Sequence, residues 1–179
     1  MKRFASWEFW RRPLPLTIAG LITLLVLMCA SGVIYLGVTA ANYRAHTLKA
    51  IGPSMEPTIH DGQFLTIQDY GKANPQRLDI VIFHPPNEPS SLYFKRIIGL
   101  PGESVELTDT AVMVNGKPLV EPYIAPQYAG NGASGMTKLT LQKDQYYVLG
   151  DNRQNSIDSR DFGAVSRAAI TAKVVSISK

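Results

Sequence analysis

Apolar and polar positions divide the chain into two unlike parts. From Pro13 to Tyr43 no side chain is charged, and its core, LTIAGLITLLVLMCASGVIYLGVTAA, exceeds the roughly 20 apolar residues that a bilayer-spanning helix needs. A cleavable leader is the alternative, but its apolar core runs to only about 7–15 residues. The stretch therefore predicts an uncleaved transmembrane anchor over residues 14–43. Lys2, Arg3, Arg11 and Arg12 precede it against one Glu8, while only Arg44 and Lys49 follow closely. The positive-inside bias then puts residues 1–13 in the cytoplasm and residues 44–179 on the outer side. Trp7, Trp10 and Tyr43 flank the span, where amphipathic rings favour the headgroup region.

After Lys49 the long apolar run gives way to short ones. QFLTIQ, LDIVIFH, SLYFKRII, AVMVNG, QYYVLG and AAITAKVVSIS read as strands. HPPNEP, GLPGE, NGKP and APQYAGNGASG between them are rich in turn-forming residues. No long amphipathic helix is evident, so the expectation is a mainly β, antiparallel domain, with Tyr123 to Gly135 as a mobile loop.

Composition adds exclusions. The formal net charge of +4 comes from scattered bases without a long Lys/Arg block, which favours a lipid surface over nucleic acid as partner. The single cysteine, Cys29, lies inside the apolar run, so neither an intrachain disulfide nor a thiolate zinc site can form.

Three polar patches carry candidate chemistry. The first, Gly52-Pro53-Ser54-Met55-Glu56-Pro57-Thr58, follows the anchor directly. The second runs from Tyr93 to Glu103, YFKRIIGLPGE. Read as a strand, its start puts Tyr93, Lys95 and Ile97 on one face and Phe94, Arg96 and Ile98 on the other. Lys95 between large apolar neighbours is either a snorkelling surface residue or, if enclosed, an amine with a depressed proton affinity. The third patch, Gly150 to Gly163, is GDNRQNSIDSRDFG. As a calcium loop it fails, with Arg153 at the third position, Ser156 where glycine is required and Phe162 where a bidentate glutamate belongs. No metal site is expected.

Together, and in this order behind an anchor, the patches resemble the boxes of the bacterial type I signal peptidases, a serine/lysine family. The resemblance covers nearly everything from the anchor to Gly163. It implies a signal-peptidase-like antiparallel β domain and a cofactor-free serine endopeptidase of the bacterial cytoplasmic membrane, single-pass, with its catalytic domain outside. Its substrates would be the signal peptides of preproteins, with no nucleic acid and no obligate protein partner. Carried over, Ser54 matches the nucleophile and Lys95 the general base. Ser156 matches the hydroxyl that orients the lysine. Asp158 and Arg160 match a structural pair, and Arg96 is expected as a second partner for Asp158. The Ser54 N–H is a candidate oxyanion donor. Some relatives carry a serine two positions before the nucleophile, where this chain has Gly52, and Pro53 has no N–H to offer.

The chemistry has a rationale of its own, since a serine hydroxyl needs a base and a lysine serves only when burial keeps it neutral. His46, His60 and His84 all fall outside the second and third patches. His60 is the one histidine near enough to Ser54 in sequence to compete as base. The nearest enzymatic alternative is a specialised relative that matures one dedicated substrate, such as a conjugative pilin. A self-cleaving repressor would carry a DNA-binding domain in place of the anchor, and a non-catalytic anchored β domain would make Ser54 and Lys95 coincidental.

Overall fold

The structure is a computed structural model that describes residues 27–29, 45–130 and 138–178. The chain divides into two compact units, residues 1–43 and 44–179. Of the first unit, residues 27–29 are helical; the rest of the expected anchor lies outside the described residues. Among the described residues no helix is long and apolar enough to cross a membrane.

Among its described residues the second unit contains eleven strands: β1 Ala45–Lys49, β2 Phe64–Asp69, β3 Ile80–Phe83, β4 Tyr93–Gly99, β5 Ser104–Leu107, β6 Val112–Val114, β7 Lys117–Pro118, β8 Leu139–Thr140, β9 Gln145–Leu149, β10 Val165–Ser166 and β11 Ile170–Ile177. One four-residue helix, α1, spans Ser159–Phe162. Short 3-10 turns cover Pro126–Tyr128 and Arg167–Ala169. Seven strands form a sheet in the order β1-β2-β11-β3-β4-β9-β10, and four form a second sheet in the order β7-β6-β5-β8. The paired strands run antiparallel.

All six expected strand runs are strands. β1 and β5 were missed because AHTLK is mostly polar and SVEL is crowded by the turn residues of GLPGE. β7, β8 and β10 are only two residues long. The expected loop from Tyr123 to Gly135 includes the Pro126–Tyr128 turn, and residues 131–137 lie outside the description.

Alternation along central strands explains why they read as unbroken apolar runs. In β3, Ile80 and Ile82 enter one apolar cluster with Met55, Ile59, Leu65 and Ile67, while Val81 and Phe83 enter another with Ile97, Tyr146 and Val148. In β9, Tyr146 and Val148 join that second cluster, and Tyr147 and Leu149 a third, with Val105 and Val112 of the small sheet and with Leu141, which follows β8. A strand covered on both faces needs apolar side chains at successive positions. Gly99 ends β4 where a Cβ would stand 2.5 Å from a Val105 methyl and 2.6 Å from one of Leu141. Its hydrogen side chain lets the small sheet close on the large one, beside a register shift between Ile97 and Gly99.

Candidate active site

Ser54 occupies the turn that leads from β1 toward β2. Its neighbour Met55 is fully buried, as is Ile59, and both belong to the first apolar cluster. Fully burying such a side chain contributes about 1.5–3 kcal/mol. Two of these pin the turn from below and leave Ser54 half-buried at its top.

Lys95 comes from β4, held between β3 and β9. It is 4% exposed, and its Nζ lies 2.8 Å from Ser54 Oγ and 3.0 Å from the Phe94 carbonyl oxygen. The rings of Tyr93 and Phe94 stand 5.5 and 5.4 Å from the same nitrogen. Lys95 forms no ion pair among the described residues. Desolvation by these walls lowers its pKa to about 8, opposed by the fields of Asp158 and Asp151. In the charged form the ammonium donates to the Ser54 hydroxyl; in the neutral form the direction reverses, and the serine O–H donates to the amine lone pair.

The loop after β9 closes the arrangement around Ser54. Asn152 donates its backbone N–H to the Ser54 carbonyl at 3.1 Å and its side-chain amide to the Pro53 carbonyl at 3.2 Å. At Gly150 a Cβ would lie 2.5 Å from the same Ser54 carbonyl oxygen and would strike the Ser156 side chain. Glycine is thus required by close approach.

Two buried carboxylates organise this loop. Asp158 caps α1, accepts from Gly150 N–H at 2.9 Å, and takes Nε and Nη2 of Arg160, both at 2.8 Å. The expected Asp158–Arg160 pair is present. Arg96 does not join it: its fork engages Asp151 at 2.8 and 2.6 Å. The reason is the path of the loop after β9, which brings Asp151 rather than Asp158 to Arg96. Arg96 leaves β4 on the face opposite Lys95, toward Thr58, whose hydroxyl donates to Asp151 at 2.5 Å. Its guanidinium also stacks 4.0 Å over the Tyr123 ring.

Ser156 shares a cleft with Ser54 and Lys95, yet its buried Oγ has no hydrogen-bond partner among the described residues. His60 is exposed and binds Glu56, away from Lys95. For the oxyanion, the Gly52 N–H donates to Asp61 at 2.7 Å and is engaged, whereas the Ser54 N–H donates to no other described residue. Among the described residues no cluster of His, Cys, Asp or Glu has the arrangement of a metal site.

Asp151, Asn152, Glu121 and Tyr123 are contributors that the sequence reading did not assign. Glu121 pairs with the buried Arg153 and accepts from the Tyr123 hydroxyl at 2.7 Å. Asp151 and Asn152 stood in the third patch, so their polarity was visible; Glu121 and Tyr123 carried no local signal.

The cleft in front of Ser54 has a volume of about 280 Å³ and is lined by Ile51, Leu92, Tyr93 and Phe94 together with Ser54 and Lys95. A second cleft of about 210 Å³ shares those four residues and continues to Leu48, Leu65 and Ile82.

Several known proteins are similar to this chain. Signal peptidase I of Bacillus licheniformis is 40% identical over 121 residues, covering 62% of this chain and 63% of that protein. Signal peptidase I of Leptolyngbya laminosa is 40% identical over 133 residues, covering 68% of this chain and 63% of that protein. The chain thus spans a little under two thirds of the length of these relatives. A crystal structure of a signal peptidase I from Enterococcus faecalis V583 is similar at 35% identity with a TM-score of 0.48, covering 57% of this chain and 97% of that one. The family model described as signal peptidase, peptidase S26, matches residues 19–178, a range that holds Ser54, Lys95 and the loop joining them. The chain belongs to that signal peptidase family.

Proposed function

We propose that this protein is a membrane-bound serine endopeptidase that removes N-terminal signal peptides from exported preproteins. The observation that carries the proposal is the 2.8 Å approach of Lys95 Nζ to Ser54 Oγ, with the lysine buried and without an ion pair. Neutral Lys95 takes the Ser54 proton as Oγ attacks the scissile carbonyl, and the resulting ammonium returns a proton to the departing amine. The acyl-enzyme is then hydrolysed by a water that gives a proton to neutral Lys95, and the lysine passes it to Ser54 Oγ as the acyl–oxygen bond breaks. The Ser54 N–H supplies one hydrogen bond to the developing oxyanion. No cofactor takes part. Ser156 lines the same cleft, and the orienting role that the resemblance implies for it would need its hydroxyl, unpaired among the described residues, to turn to the amine.

The resemblance to the signal peptidases implies a preference for small residues one and three positions before the cut. Alternate side chains of an extended peptide point the same way, and the two adjoining apolar clefts are the places proposed to receive them. Residues 14–43 serve as a single-pass anchor in a bacterial cytoplasmic membrane, with residues 1–13 inside and the β domain, residues 44–179, outside. Ser54 lies ten residues beyond Arg44. At a maximum of roughly 3.3–3.6 Å per residue it stays near the bilayer surface, where a leader peptide inserted in the same bilayer presents its cleavage site.

The test is incubation of the detergent-purified protein with a model preprotein, wild type beside Ser54→Ala. Cleavage at the leader junction by wild type alone is expected. Equal processing by Ser54→Ala would remove the proposal.

A further inference from the structure

Asn152 grips the serine turn at two successive peptide groups. Its side-chain amide donates to the Pro53 carbonyl at 3.2 Å, and its backbone N–H donates to the Ser54 carbonyl at 3.1 Å. The residue is buried, and its neighbours fix its backbone on both sides. Before it stands Asp151, forked by Arg96; after it stands Arg153, paired with Glu121 and donating from Nε to the Gly150 carbonyl at 3.1 Å.

The bond to Pro53 acts beyond the oxygen it touches. The Pro53–Ser54 peptide is trans, and a trans peptide is a rigid plane whose C=O and N–H point in opposite directions. Holding the Pro53 oxygen toward Asn152 therefore aims the Ser54 N–H away from Asn152. That N–H donates to no other described residue, and Ser54 lines the cleft beside Lys95. Of Gly52, Pro53 and Ser54 it supplies the one backbone donor left over, since the Gly52 N–H is held by Asp61 and Pro53 has none.

We infer that Asn152 is the positioning residue of the oxyanion site: its side-chain amide sets the plane of the Pro53–Ser54 peptide and so points the Ser54 N–H at the oxygen of the scissile carbonyl. The inference rests on the serine chemistry of the peptidase reading, because charge develops on that oxygen only when Ser54 attacks. Asn152 touches no reacting atom in this scheme.

The turn's own closing bond does part of the same task. The Glu56 N–H donates to the Pro53 carbonyl at 3.1 Å, and a carbonyl oxygen has two lone pairs to share between such donors. Losing the amide therefore loosens the plane without releasing it. Deleting an oxyanion donor outright lowers kcat by about 10²–10³-fold, so a misdirected donor should cost less, about tenfold. The nucleophile is separable from this effect. Oγ meets Lys95 at 2.8 Å, and the Ser54 carbonyl stays with the Asn152 backbone N–H, which a side-chain substitution keeps.

The experiment compares the full-length, detergent-solubilised wild type with Asn152→Leu, which keeps the bulk of the side chain without a donor, and with Asn152→Ala. Cleavage of a model preprotein gives kcat and KM. A leader peptide ending in an aldehyde gives a second reading. Ser54 Oγ bonds to the aldehyde carbon, the carbonyl π pair moves to its oxygen, the serine proton goes to Lys95, and the new oxyanion occupies the same site. Both variants should lose about tenfold in kcat and bind the aldehyde about tenfold more weakly, with KM and the acidic limb of the pH profile unmoved. A scaffold role alone would raise KM or displace that limb, because the whole turn would shift against Lys95 and the clefts. Either result would overturn the inference, as would a kcat and an aldehyde affinity within about twofold of wild type in variants that circular dichroism shows to be folded. Unfolding of both variants would mark the side chain as scaffold and overturn it too. A wild type that binds the aldehyde without cleaving a preprotein would remove the peptidase reading alone, and the aldehyde series would still decide the direction of the N–H. A cleaving wild type with variants inside the twofold range would do the reverse, and a wild type that neither cleaves nor binds the aldehyde would remove both.

Discussion

Arg96 and Asp151 are joined by a two-pronged bond that ties the lysine's strand to the loop over the serine turn. Nε reaches Oδ1 at 2.8 Å and Nη2 reaches Oδ2 at 2.6 Å. Because Arg96 follows Lys95 directly and Asp151 precedes Asn152, which holds the Ser54 carbonyl, this pair sets the separation of the two proposed reacting groups. Asp151→Ala should therefore destabilise the folded domain by about 3–5 kcal/mol, the cost of leaving one partner of a buried ion pair alone. Chemical denaturation of the full chain reads that loss.

Met55 acts on the same turn from the apolar side. Met55→Ala should cost about 2–5 kcal/mol through the lost contacts and the cavity left behind. Met55→Leu should cost under about 1.5 kcal/mol, since it conserves volume. Denaturation midpoints of the two variants, compared with wild type, check the difference.

Gly150→Ala probes close approach. A methyl group there meets the Ser54 carbonyl oxygen and the Ser156 side chain, so the serine turn must retreat from Lys95. Overpacking of this kind costs about 1–3 kcal/mol. Processing should fall by about 10²-fold, as expected when a reacting atom is displaced by around 1 Å. A kinetic comparison at a temperature where the variant remains folded separates the two effects.

Much of this architecture was legible in the sequence, for reasons that particular residues make plain. IVIF and QYYVL are covered on both faces and so read as unbroken apolar runs. Tyr93, Lys95 and Ile97 were assigned to one face of β4 by alternation, and Tyr93 and Ile97 do share an apolar cluster. The Ser54 and Lys95 patches could be picked out through the resemblance of their wording, while their approach within 2.8 Å depends on a fold that crosses forty-one residues. Pairing of the charges was less accessible. Arg96 was assigned to Asp158, but which carboxylate a side chain meets depends on how the loop after β9 crosses β4. Glu121 and Tyr123 enter only through contacts with Arg153 and Arg96, which no local pattern encodes. The anchor was read from apolarity alone and lies almost wholly outside the described residues.

The buried lysine also makes stability depend on pH. Its pKa falls from 10.5 to about 8 on folding. Below pH 8 both states are charged, and the folded protein bears the whole cost of the desolvated ammonium. Between pH 8 and 10.5 the unfolded chain holds a proton that the folded one has shed, so stability rises with pH through that window. Lys95→Met should therefore be more stable than wild type at pH 7 by about 3 kcal/mol, at 1.36 kcal/mol per pKa unit. The advantage should shrink through the window and vanish above it, as denaturation at pH 7 and at pH 10.5 would record.

The most direct test of the serine/lysine account is the pH profile of kcat/KM for cleavage of a model preprotein by wild type and by Lys95→Arg. Activity of the wild type should rise with pH along an acidic limb centred near the lysine's depressed pKa of about 8. Lys95→Arg should be down by at least about 10²-fold at every pH, because a guanidinium stays charged and offers no lone pair. Substantial cleavage by Lys95→Arg, with the acidic limb still in place, would show that another group accepts the Ser54 proton and would contradict the account.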